Sequence, residues 1–140
     1  MILSIGIWNI PKLDEHLKES NFAFDVEHMF RSNWARLRNA LPPMADQGYI
    51  NWLREQLTIQ VKTVVADKTH AEVSWYASTS NFIFCLPLYY QGKLVFAAAF
   101  EPVKTGSNMG LVMRTILLPA WAYNNARVLG APKSLWMKQY

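Results

Sequence analysis

Apolar positions open the chain as one β-branched run, Met1-Ile2-Leu3-Ser4-Ile5-Gly6-Ile7-Trp8-Asn9-Ile10, closed by Pro11. A proline removes a ladder donor, so this run predicts a strand that sits at a sheet edge and stops there. Residues 12–20 hold helix formers with Leu13 and Leu17 four apart, which predicts a short surface helix. The strongest helical pattern comes next. Val26, Met29, Phe30, Asn33, Trp34, Leu37 and Leu41 recur at i, i+3, i+4, i+7 spacing, Asp25 precedes them as an N-cap, and Pro42-Pro43 ends them. A further helix is expected from about Asp46, burying Ile50, Leu53, Leu57, Val61 and Val64 or Val65. Its second half is β-branched and partly alternating, so a strand competes over residues 58–66. Helix to about Ala66 is the reading adopted.

From Val73 onward the pattern changes to strands separated by turn residues. Residues 82–90, 93–101 and 111–118, divided by Gln91-Gly92 and by Thr105-Gly106-Ser107-Asn108, predict an antiparallel meander. Its first two strands are apolar at successive positions, so both faces of the sheet are expected to be covered, by helices on at least one. Pro87 calls for a bulge or an edge. Pro119 opens a short helix that Gly130 closes, and the tail is expected to fold back so that Leu135 and Trp136 pack on the sheet. The pattern as a whole predicts one α+β domain over residues 1–140. Its antiparallel sheet is the three-strand meander, which the N-terminal strand can join, packed with the N-terminal helices and a short C-terminal helix.

Composition supports a folded chain: 51% of the 140 residues are hydrophobic and 14% aromatic, far from the signature of disorder. The single Cys85 has no partner for an internal disulfide and lies in an apolar run, as expected of a buried thiol in a reducing compartment. The N-terminus lacks a signal peptide's basic region, and no stretch approaches the roughly 20 apolar residues of a membrane span. A cytoplasmic protein without a membrane partner is the expectation. The net charge of +4 leans toward anionic partners only slightly.

Little in the chain announces chemistry. His16, His28 and His70 are scattered, with no HxxxH or CxxC spacing, so neither a metal nor a cofactor is expected. His70 with Asp67 and Glu72 reads as a polar loop at a helix end. Cys85, between Phe84 and Leu86, lacks the paired base and exposure of a nucleophile, and GxSxG, GxGxxG and GxxxxGK[ST] are all absent. No catalytic residue is assigned. Two groups remain as binding candidates. Arg31, Arg36 and Arg38 share the outer side of the helix after Asp25, as a solvated basic face or as phosphate contacts. In the C-terminal helix, Asn125 falls inside the stripe of Leu118, Trp121, Ala122 and Leu129, where an amide must find a partner. Either it caps backbone groups, or Asn124, Asn125 and Arg127 line a ligand site, with Tyr123 and Arg127 able to stack. Trp75-Tyr76 and Tyr89-Tyr90 read as core, with base stacking as the other role such aromatics can take.

Several features of the second half occur together. These are the step Leu86-Pro87-Leu88, the apolar strand from Leu94 to the acid Glu101, the segment from Arg114 to Leu129 with the string Ala122-Tyr123-Asn124-Asn125-Ala126-Arg127, and then Pro132 and Leu135-Trp136. In these, the stretch from about Asn81 to Met137, a little under half of the chain, resembles the C-terminal part of the bacterial family known as domain of unknown function 3825. Members of that family are usually longer on the N-terminal side and often sit beside RNA-binding modules, while their own activity is unassigned. The resemblance transfers no catalytic residue. Together with the polar helix, it implies a non-enzymatic binding module in an RNA- or nucleotide-related setting, with Arg114, Tyr123, Asn124, Asn125 and Arg127 as candidate contacts. The alternative is a small protein-interaction or inhibitor protein, of the kind mobile elements carry, which uses its aromatic surplus to cover a partner or pair as a homo-oligomer. An enzyme ranks third, since no paired and perturbed carboxylate or histidine is evident.

Overall fold

Asp25 accepts the backbone N–H of His28 on its side chain at 3.1 Å, satisfying one donor that a helix start leaves open, and α1 (Val26–Ser32) follows. The computed structural model describes residues 17–76, 81–106, 108–127, 134, 136 and 137. The expected opening strand lies outside them, as do most of the helix expected over 12–20, Gly130 and Leu135. The end of that second segment is a 3-10 turn at Glu19–Asn21. The continuous helix expected to reach Leu41 is two helices, α1 and α2 (Trp34–Ala40), parted at Asn33. Asn33 is buried, and its amide donates to the Met29 carbonyl at 2.9 Å while its oxygen accepts from Thr115 Oγ1 at 3.2 Å. A short polar side chain competing for the helix's own carbonyl is what interrupts the run.

The ambiguity over residues 58–66 resolves as helix. α3 (Asp46–Ala66) runs unbroken for 21 residues, about 30 Å. Thr58 and Thr63 donate their hydroxyls to the carbonyls of Arg54 and Ile59 one turn back, so these β-branched residues are accommodated within the helix. The buried stripe is Tyr49, Leu53, Leu57, Gln60, Val61 and Val64; Tyr49 takes the place expected of Ile50, stacks on Phe30 and donates its hydroxyl to the Pro42 carbonyl.

Among the described residues the sheet is five-stranded and mostly antiparallel, giving an α+β fold. In chain order the strands are β1 (Phe22–Ala23), β2 (Glu72–Tyr76), β3 (Asn81–Tyr90), β4 (Lys93–Thr105) and β5 (Asn108–Leu117), and α4 (Pro119–Arg127) follows. Their spatial order is β1-β5-β4-β3-β2. β3, β4 and β5 form the expected meander. Gln91 and Gly92 make the tight turn between the first two with φ of +50° and +77°, the left-handed geometry that favours glycine. β2 adds antiparallel to β3, and β1, too short to carry a pattern, runs parallel to β5 at the opposite edge.

Both faces of the sheet are covered, which is why β3 and β4 are apolar at successive positions. Phe84, Leu86, Phe96, Ala98, Phe100 and Ile116 pack under α1, α2 and α3. Ile83, Cys85, Ala97, Ala99 and Leu117 pack against Ala122 of α4 and against Trp136 and Met137 of the tail. The expected fold-back of Trp136 is thus observed. It is secured by hydrogen bonds: the Trp136 indole donates to the His70 carbonyl at 2.7 Å, and the backbone N–H and hydroxyl of Ser134 both donate to the buried Glu72 carboxylate at 3.0 Å.

The helical layer also finishes the strands. β2 flanks β3 only from Asn81 to Cys85, so Pro87 lies where β4 alone is paired with its strand. Further along, the Tyr89 N–H donates to Gln56 Oε1 at 2.8 Å and the Tyr89 carbonyl accepts from Trp52 Nε1 at 3.0 Å, so α3 supplies backbone partners where β2 no longer flanks β3.

Candidate binding site

β5 carries one residue more than the β4 segment it faces. Thr115 pairs with Ala99 and Met113 with Phe100, which makes Arg114 the extra residue of a β-bulge. A bulge re-aims the side chain it carries. Glu101, nearly buried on β4, receives Arg114 through Nε at 3.0 Å and Nη2 at 2.8 Å, both on Oε1. The guanidinium is thereby fixed while its side chain stays 42% exposed.

Beside this pair the sheet opens. β1 is paired with β5 only at Phe22 with Leu111 and Ala23 with Val112, after which the chain peels away through Phe24 and Asp25 into α1. The divergence leaves a groove of about 500 Å³ lined by Phe24, Asp25, His28, Met29, Met113 and Arg114 among others. Phe24 is fixed edge-on to Phe100, and Met29 and Met113 are core residues, so the floor is apolar and the rim polar.

The other sequence candidates are placed apart from this groove. Tyr123 packs against the second core cluster, Asn124 is exposed, and Arg127 ends α4. Asn125, expected to be enclosed, is only half-buried, so water can satisfy its amide. The three arginines near α1 and α2 do not form one face. Arg31 lies 3.7 Å from Glu27 on the surface. Arg36 turns inward: it donates to the Ile116 carbonyl and to Asn33 Oδ1, and its guanidinium lies 4.7 Å over the Trp121 ring. Arg38 lies 4.3 Å over Trp34. Of the strand aromatics, Tyr90 packs on the main core, edge-on to Trp52.

Nothing local in the sequence marks Asp25 and His28 as site residues beyond the cap. Only the long-range pairing of β1 with β5 brings them to Arg114.

The titratable groups elsewhere read as structural. Burial pushes the Cys85 thiol up to about 12, far from a nucleophile's range. Asp67 is held low by hydrogen bonds from Thr69. His70 Nε2 lies 2.7 Å from Gln60 Oε1, and burial lowers its pKa from 6.5, with Asp67 opposing the shift. A lowered histidine pKa means that the unfolded chain binds more protons. The His70 contribution is therefore intact above about pH 6.5 and is lost as pH falls toward the folded-state value. We expect pH-dependent denaturant unfolding to show this loss in the wild type and a flatter profile in His70→Gln; identical profiles would contradict the burial effect.

Among the described residues no three His, Cys, Asp or Glu side chains are grouped to hold a metal, and no helix is long and apolar enough to cross a membrane. No family model, curated protein or solved structure matches the chain.

Proposed function

We propose that the chain is a non-enzymatic binding module working in an RNA- or nucleotide-related setting, with the groove beside Arg114 as its contact site. One observation carries the reading: a half-exposed guanidinium, held at a β-bulge by a nearly buried carboxylate, forms one wall of a concave, apolar-floored groove. The resemblance of residues 81–137 to a family found beside RNA-binding modules and the net charge of +4 support it. A buried, reduced Cys85 is in keeping with the cytoplasm as the place of work. The test is fluorescence anisotropy of labelled single-stranded RNA titrated with the protein at several salt concentrations. Binding that weakens log-linearly with salt is expected; no binding at low salt would overturn the reading.

A protein-interaction role is favoured by a different observation. Trp34, Ile59 and Trp121 are 43%, 44% and 42% exposed. Tryptophan packed with arginine is a common composition for interface anchors. Concentration-dependent self-association in light scattering, weakened by Trp34→Ala or Trp121→Ala, would support this second reading.

A further inference from the structure

We infer that the groove takes a single guanine base and reads it by hydrogen bonds rather than by its phosphate, a deepening that rests on the nucleotide-related reading above. Arg114 is matched by Glu101, and Asp25 brings a second negative charge to the groove, so no surplus of positive charge awaits a phosphate. Arg31 lies beside Glu27, Arg36 donates to β5 and Arg38 packs on Trp34, so none of these three adds its charge to the groove. The volume, about 500 Å³, lies in the range of small-ligand pockets.

The groove offers an apolar floor, one acceptor pole and one donor pole. Phe24, Met29 and Met113 suit a flat aromatic ring, since thioethers and ring edges make favourable contacts with it. Asp25 uses Oδ1 to cap α1 and has Oδ2 to offer. Arg114 directs Nε–H and one Nη2–H at Glu101, which leaves the other Nη2–H and Nη1 as a pair to offer. Guanine presents O6 and N7 as acceptors for an arginine, and the N1–H and N2 amino group as donors for a carboxylate. Among the four bases it alone offers paired acceptors and paired donors to these two poles.

The experiment is isothermal titration calorimetry of the full chain with the four ribonucleoside monophosphates and with inorganic phosphate. All four nucleotides carry the same phosphate, so any discrimination belongs to the base. Guanosine monophosphate should bind about tenfold or more tightly than the other three, the lower end of what one bidentate base contact discriminates, and phosphate alone should not bind. Asp25→Asn keeps the helix cap, since Asn caps as well as Asp, and should lose about tenfold in affinity for guanosine monophosphate. Arg114→Gln should lose as much. Equal binding of all four nucleotides, or unchanged affinity in folded Asp25→Asn, overturns the inference. If no nucleotide binds while RNA still binds with a salt slope, the guanine assignment falls and the RNA reading stands; if neither binds, both fall.

Discussion

Phe96→Ala is expected to lower the unfolding free energy by about 3–5 kcal/mol, the usual cost of emptying an aromatic site in a core that cannot collapse around it. Phe96 is fully buried on β4, at the centre of the cluster between the sheet and the helices. Its ring meets Trp52 edge-on at 6.2 Å, and Trp52 in turn holds the Tyr89 carbonyl of β3. The cavity therefore removes apolar contact and also loosens the side chain that finishes the strand. Denaturant unfolding should show a lower midpoint at unchanged slope. A loss below about 1 kcal/mol would contradict the packing, since that is the range expected of an exposed position such as Ile59.

Glu72→Ala is expected to cost about 2–4 kcal/mol and to unmask Cys85. The carboxylate is buried and accepts both the N–H and the hydroxyl of Ser134. Removing it leaves two buried donors without that acceptor, at roughly 1–3 kcal/mol for each group left unsatisfied, less whatever relaxation recovers. Ser134, Trp136 and Met137 belong to the tail that covers the second face of the sheet, where Cys85 is fully buried with its thiol pushed up to about 12. In the wild type a thiol reagent should reach Cys85 only on unfolding; in Glu72→Ala it should react under native conditions. Glu72→Gln keeps an acceptor and should behave between the two. Wild-type protection of Cys85 in Glu72→Ala would mean that the apolar contacts of the tail and the bond from Trp136 to the His70 carbonyl hold it without Glu72.

What could be read from the residues themselves was local. The cap at Asp25, the stop at Pro42-Pro43, the turn at Gln91-Gly92 and the burial of Cys85 depend on near neighbours and on side-chain chemistry, and the structure repeats each of them. The helix through residues 58–66 was legible once the stripe of Leu53, Leu57, Val61 and Val64 was continued from Asp46. What escaped depends on partners far along the chain. Asn33 looks like one more residue of a helical stripe, but it breaks the helix while accepting a hydrogen bond from Thr115, 82 positions away. Arg36 looks like part of a solvated face, yet its guanidinium finds Ile116 and Trp121. β1 is two residues long, too short for any period, although its pairing with β5 creates the groove. Arg114 was legible as a candidate through the family resemblance; its bulge and its bond to Glu101 were not, because a bulge is a property of two strands together.

These long-range pairings therefore decide which candidate lines the groove. Arg114 stands in a concave site with Asp25 and His28, while Tyr123, Asn124 and Asn125 lie on a helix that packs on the second face of the sheet. The most direct measurement is the RNA anisotropy titration carried out in parallel on the wild type and on folded Arg114→Gln at several salt concentrations. Salt-dependent binding by the wild type and a loss of about tenfold in the variant, the scale of one charged hydrogen-bonded contact, are expected. Equal affinity in the two proteins, or no binding by either at low salt, would contradict the proposed contact site.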